Sequence, residues 1–229
     1  MCSSDLLRRF IPLDSSSIGP PDQRHAPRRP APEATSARSD YARRVPRPTD
    51  AVPLILATRR LNLERLGCAH LDDLVTLDSD PEVVRYVGGV SPTREQYERE
   101  IMKRITEYDD RPYGFLAAYE AGAFIGWFHL RPSVFDPDVL ELGYRLRRSA
   151  WGRNLATEGS RAILRHAFET LGEAVVDACA LPANVASTRV MVKCGMRRVG
   201  SFTHPRFEAT VDRYLVARTE VVLDDPLTP

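Results

Sequence analysis

Residues 139–180 constrain the fold more than any other stretch of this chain. Val139–Arg147 alternates apolar and polar residues with the period of a half-buried strand. Arg153–Leu171 places Leu155, Ala162, Ile163, Ala167 and Phe168 with the period of a helix, and Ala174–Ala180 reads as a short strand. Two strands joined by so long a helix can lie side by side only as a parallel pair. The rest of the chain signals antiparallel pairing. Tyr113–Glu120 and Ala123–Leu130 are joined at Ala121-Gly122, a hairpin turn. The stretch LILATRRLNLERL reads as a strand or a bent strand pair, and strands near Arg198–Phe207 and Val211–Val221 come last.

Helices fill the gaps. His70–Leu77 and Pro81–Tyr86 read as short ones. Thr93 stands three residues before Gln96, the spacing of a capping box, and opens a helix of about fifteen residues through Tyr108. Val185–Cys194 is a further helix, stopped by Gly195. One parallel pair among antiparallel ones makes an α+β fold: a mixed twisted sheet with helices on its faces.

Two domains of composition divide the 229 residues. Residues 1–52 carry eight prolines and nine arginines against six acids, with few large apolar groups, and are expected to form a disordered Pro/Arg-rich arm. Residues 53–229 form the folded domain, and the chain's 43% hydrophobic content supplies its core without a staple. With 32 Lys+Arg against 31 Asp+Glu there is no strong global field for nucleic acid. No apolar run approaches the ~18 residues of a membrane span. Cys2, Cys68, Cys179 and Cys194 are too scattered for a disulfide framework or a zinc site and read as reduced thiols of a cytoplasmic protein. His25, His70, His129, His166 and His204 lack ligand spacing, so no metal is expected; each reads as a surface or satisfied interior residue. Cys194, at a helix C-terminus, reads as packing rather than as a nucleophile.

The nucleotide-binding, metalloprotease and serine-hydrolase signatures are absent. One segment carries chemistry of its own, Leu140-Glu-Leu-Gly-Tyr-Arg-Leu-Arg-Arg-Ser-Ala-Trp-Gly-Arg-Asn-Leu-Ala-Thr-Glu158. A strand runs into a turn of small residues and opens a long helix. The first amides of such a helix lack internal partners and lie at its positive end, which suits a phosphate. Gly152 allows close approach, and Arg147, Arg148 and Arg153 add charge. The residues alone leave open an ordinary strand-to-helix turn with solvated arginines.

A second segment, Asn184-Val-Ala-Ser-Thr-Arg-Val-Met-Val-Lys-Cys-Gly-Met196, follows the next strand. Together the two resemble the GNAT superfamily of N-acetyltransferases, and most closely its ribosomal-protein N-acetyltransferase-like branch. The resemblance rests on Glu141/Gly143/Tyr144/Leu146, Trp151/Gly152/Ala156/Thr157/Glu158 and Asn184/Ser187/Lys193/Gly195. Thr58-Arg-Arg-Leu-Asn-Leu, Asp80-Pro81 with Tyr86, and Asp212-Arg-Tyr214 extend it over about residues 54–222.

The resemblance implies a mixed, mostly antiparallel sheet whose two central parallel strands splay apart to admit the pantetheine arm of acetyl-CoA. It implies backbone contacts from Tyr144, Arg145 and Leu146, a pyrophosphate seat on the amides of Gly152, Arg153, Asn154, Leu155 and Ala156, and a side-chain contact from Asn184. Family members often carry a tyrosine as thiolate acid seven residues after that asparagine; Met191 stands there, so Ser187 takes the role. Glu141 is the expected base, and Glu158 reads as structural. The activity implied is acetyl transfer to a primary amine, on a small molecule or a peptide N-terminus. A degenerate acyl-CoA sensor is the alternative. No membrane partner is expected, and the family's habit suggests a homodimer.

Overall fold

The computed structural model describes residues 55–88, 91–205 and 208–221. The expectation of a disordered arm over 1–52 lies outside the described residues. The expected bent strand pair is β1 (Leu56–Ala57) and β2 (Leu61–Arg65), and the expected hairpin is β3 (Gly114–Glu120) and β4 (Ala123–Pro132). The crossover runs from β5 (Leu140–Leu146) to β6 (Val175–Ala180), and the chain closes with β7 (Arg197–Thr203) and β8 (Thr210–Ala217). These form one sheet in the order β1-β2-β3-β4-β5-β6-β8-β7. Only β5 with β6 is parallel among the described pairs.

Helix α1 is Leu71–Asp78 and α2 is Pro81–Val84, capped by the Asp80 side chain. Helix α3 starts at Arg94–Gln96, widens into a π-helical stretch at Tyr97–Ile101 and ends with Met102–Thr106. Its capping box forms as the spacing predicts: the Gln96 amide donates to Thr93 Oγ1, and the Thr93 amide donates to Gln96 Oε1. Helix α4 (Leu155–Arg165) continues as a π turn through His166–Thr170, and α5 is Val185–Lys193, with Gly195 following it at φ +80°.

The sheet separates two main cores, and Val139, Val175, Leu215 and Ala217 form a smaller third cluster. Leu66, Leu74, Leu77, Tyr97, Ile105, Ala117 and Phe124 bury α1–α3 against one face. Phe128, Leu130, Leu142, Leu155, Ile163, Phe168 and Met191 bury α4 and α5 against the other. Gly159 lets α4 lie flat on the sheet, because a Cβ there would enter the Phe128 ring. Glu158 ties the same helix to the first strands. Its carboxylate accepts from Thr58 Oγ1 at 2.6 Å, the Arg60 amide at 2.9 Å and Arg60 Nε at 2.7 Å. Those bonds give the early Thr58-Arg59-Arg60 stretch its role and make Glu158 structural.

Candidate active site

Strands β5 and β6 pair only at Leu140↔Val176 and Glu141↔Asp177. Beyond that, β5 stays on β4 as far as Gly126↔Leu146 and β6 stays on β8 as far as Ala180↔Asp212. The two strands therefore part, and a cleft of about 620 Å³ opens at the gap. Strict alternation decides which backbone groups face it. The Arg147 amide donates to the Ile125 carbonyl at 2.8 Å, so odd residues of β5 point to β4 and even residues point into the gap. Tyr144 and Leu146 thus present backbone to the gap, where Tyr144 also lines the cleft, although the Leu146 carbonyl already accepts from Trp151 Nε1 at 2.8 Å. Arg145 corrects the sequence expectation: its backbone is turned to β4, and its guanidinium binds Asp78 and lies over the Trp127 ring.

The turn into α4 keeps its amides open. Gly152 has φ +72° and Asn154 φ +62°, both left-handed, and no side chain caps the helix. A Cβ on Gly152 would meet nothing within 4 Å, so the space above the turn is open. Leu155 and Ala156 follow in the first helical turn. The arginines contribute less than the sequence suggests. Arg153 is held by both oxygens of Glu120 at 2.7 Å, and Arg147 by Asp73 at 2.8 Å. Arg148 alone of the three is loosely held, 3.8 Å from Asp80. The preference for an anion here comes chiefly from backbone amides and the helix dipole. Lys193, a motif residue with no role assigned from sequence, donates to Asn154 Oδ1 at 2.8 Å and so stands beside the turn.

Glu141 lines the cleft on the α1–α3 side, 5% exposed. Its Oε1 accepts from Arg131 Nη2 at 2.7 Å and faces His129 Nε2 at 3.3 Å. The sheet register makes this cluster: Arg131 stands opposite Glu141, His129 opposite Gly143 and Trp127 opposite Arg145. Burial pushes the Glu141 carboxyl up, but the hydrogen bond from His129 and the neighbouring positive charge outweigh it and hold the group below its ordinary value. Burial lowers the His129 imidazole, and Arg131 and Arg145 lower it further against the pull of Glu141. His129 is thus an interior residue, but not the fully satisfied one the sequence suggests: its Nδ1 has no partner among the described residues, and it lines the cleft beside the expected base. Its partnership depends on the register of β4 on β5; the only sequence trace is the alternation Trp127-x-His129-x-Arg131.

On the opposite side of the cleft the Tyr144 hydroxyl donates to Ser187 Oγ at 3.4 Å. Burial pushes the Tyr144 phenol up to about 12, so it remains a proton donor at neutral pH. Sequence reasoning used only the backbone of this residue. The Asn184 side chain caps α5, its Oδ1 accepting from the Ser187 amide at 3.2 Å, and lines the same cleft. Met191 is buried and lines the same cleft. Burial raises the Cys194 thiol to about 11, which agrees with a packing role. The structure therefore gathers Glu141, Tyr144, Arg145, Asn184 and Ser187 around one cleft, while Leu146 and the turn residues Gly152, Arg153, Asn154, Leu155 and Ala156 lie outside its lining.

The model of the acetyltransferase (GNAT) domain matches residues 60–197. FsC-acetyl coenzyme A-N(2)-transacetylase of Aspergillus fumigatus is 34% identical over 182 residues, covering 72% of this chain and 77% of its own length. A solved structure described as an acetyltransferase from T. thermophilus is 27% identical with a TM-score of 0.61, over 74% of this chain and 92% of that one. Aminoglycoside acetyltransferase AAC(6')-Ib, solved in complex with coenzyme A, shares the fold at 19% identity and a TM-score of 0.58, over 70% of this chain and 96% of that one.

Proposed function

The chain belongs to the GNAT family of N-acetyltransferases, and from that premise we propose that it moves the acetyl group of acetyl-CoA directly onto the primary amine of a small molecule or a peptide N-terminus. The observation that carries this reading is the parting of β5 and β6 after a two-residue ladder. An extended pantetheine arm suits the unpaired edge at Tyr144 and the Leu146 amide, in the manner of an added strand. The open turn at Gly152–Ala156 suits a pyrophosphate, with Lys193 beside it and the Asn184 amide at the cleft wall. Acetyl-CoA brings an activated thioester; the protein has to bind it, deliver a neutral amine and help the sulfur leave.

The cleft favours particular amines. Its charged lining is four arginines against three acids, and two of those acids, Asp78 and Glu141, are already bonded to arginine. Phe115, Tyr97 and Trp127 supply aromatic wall. Those pairs occupy Arg131 and Arg145 as well, so Arg85 and Arg104 stand against Glu107; such a lining gives a polycation little to bind and suits an uncharged or acidic body. Proton cost points the same way: at pH 7 a neutral amine costs about 4.6 kcal/mol from a lysine but about 1.1 kcal/mol from an α-amine. The relative that moves acetyl to an N(2) nitrogen supports an amine acceptor.

Glu141 belongs to the machinery that removes the ammonium proton, and Ser187 serves the departing sulfur. With the Tyr144 phenol donating to Ser187 Oγ, the serine's own proton is free to turn toward the thiolate. The test is calorimetric titration of the full chain with acetyl-CoA, followed by transfer of labelled acetyl to a panel of α-amino amides, short peptides, diamines and aminoglycosides. Binding with transfer to α-amines is the expected result. Binding without transfer to any member would leave an acyl-CoA sensor in place of an enzyme.

A further inference from the structure

We infer that the proton leaving the acceptor amine is taken by His129 Nδ1, with Glu141 acting as the group that orients the imidazole and stabilises its charged form. The inference rests on the acetyl-transfer reading above and assigns its base.

An ionised carboxylate only accepts hydrogen bonds, so the 3.3 Å contact to Glu141 Oε1 requires the hydrogen on Nε2. That leaves the lone pair on Nδ1, a buried atom with no hydrogen-bond partner among the described residues. The ring is fixed in place. It stacks on Trp127 at 5.7 Å and 22°, and it meets the edge of Phe115 at 5.2 Å and 70°. All three side chains line the cleft. Beneath the ring lies Gly143, where a Cβ would stand 2.5 Å from Nε2 and 2.6 Å from Cε1. The missing side chain at Gly143 is what lets the imidazole lie across β5 and reach Glu141.

The charges around the ring suit a base that works and resets. Glu141 and Arg145 face it from β5, and Arg131 from its own strand β4. His204, after β7, acts on Glu141. The arginines and burial keep the resting imidazole neutral, so its lone pair is available. Glu141, held by Arg131 at 2.7 Å, stays ionised and is itself a poor proton acceptor.

A small opening of the wall that buries Nδ1 lets one water carry a proton to it from the ammonium, making an imidazolium paired with Glu141. The freed nitrogen lone pair bonds to the acetyl carbonyl carbon, the carbon–sulfur bond breaks, and its electron pair leaves on sulfur. The second amine proton ends on sulfur through Ser187, and His129 releases its proton to solvent. The sum is ammonium plus thioester giving amide, thiol and one proton.

The experiment measures kcat/KM from pH 5 to 9 for the full chain with acetyl-CoA and the α-amine of the panel that is acetylated fastest. It compares wild type, His129→Gln, His129→Asn and Glu141→Gln, with retained acetyl-CoA binding as the folding control. In parallel, nitrogen NMR of the histidine ring reads the tautomer without any turnover. Wild type is expected to lose rate on an acidic limb below pH 6.5. Both His129 variants lose that limb and fall about 100-fold or more. Glu141→Gln keeps a limb, moved to lower pH, with a smaller loss. The resting ring carries its proton on Nε2. Wild-type rate in the His129 variants, a limb that vanishes only in Glu141→Gln, or a proton found on Nδ1 would each overturn the dyad while leaving acetyl transfer intact. A wild-type chain that transfers to no amine would remove the acetyl-transfer reading and the inference with it.

Discussion

Replacing Gly143 with alanine adds one methyl group at the point where β5 passes under the His129 ring. The backbone there is not left-handed, so alanine meets no conformational strain and the whole cost is contact. The new carbon would lie 2.5 Å from Nε2, whereas ordinary contact begins near 3.4 Å. The ring has to retreat by about 1 Å. A retreat of that size away from the sheet breaks a hydrogen bond that starts at 3.3 Å. Losing a hydrogen bond to a charged group costs about 1.5–3 kcal/mol, and overpacking costs a similar 1–3 kcal/mol; part of one is relief of the other. The net expectation is a destabilisation of about 2 kcal/mol, a fall in melting temperature of about 4–8 °C and a 10- to 100-fold loss in kcat/KM. Thermal unfolding and acetyl-transfer kinetics on the same preparation measure both. The double variant Gly143→Ala/His129→Ala separates contact from collapse, because without the ring the methyl has nothing to strike. Adding Gly143→Ala to His129→Ala is expected to cost under about 0.5 kcal/mol. If Gly143→Ala alone matches wild type in both assays, or costs as much without the ring as with it, the account of this glycine is wrong.

Arg213→Met strips the buried Asp177 of its guanidinium partner at 2.7 Å and is expected to cost about 3–5 kcal/mol at pH 8 in chemical unfolding. Burial and the Glu141 charge already lift Asp177 to about 7, so at pH 5 the orphaned carboxyl takes a proton and the loss shrinks. Glu173 is also raised to about 7 by burial. The folded state then holds its proton more tightly than the unfolded chain, so this group's cost to stability grows as pH rises from about 4.5 to about 7. Glu173→Gln is expected to raise the melting temperature at pH 8 and leave it unchanged at pH 4; equal shifts at both would refute the assignment. Native alkylation at pH 8, read by mass spectrometry, is expected to modify the exposed Cys68 and spare Cys179 and Cys194, whose thiols burial raises to about 12 and about 11.

Most of the scaffold was legible because its signals are local. The capping box at Thr93, the turn at Ala121-Gly122 and the stop at Gly195 each depend on a few adjacent residues, and each is where the chain predicts it. The placement of the candidate site residues was legible where an element's own backbone makes it, as with Tyr144 on the gap strand and Gly152 and Asn154 in the turn. It was misread where a side chain's role depends on a distant partner. Arg153 carries a charge in sequence and is neutralised by Glu120, thirty-three residues away in the chain. Arg145 lies on the gap strand, but alternation turns its backbone to β4. His129 has no motif around it and acquires its setting from a strand that follows it.

Periodicity and capping depend on neighbours in the chain, so the order of strands and helices, the single parallel crossover and the family follow from the residues alone. Which charges meet depends on register and on which strands part, and those are set by the burial of both sheet faces at once. Only the folded sheet puts His129 over Gly143 and beside Glu141, because no local rule ties a residue of β4 to the one that will lie opposite it.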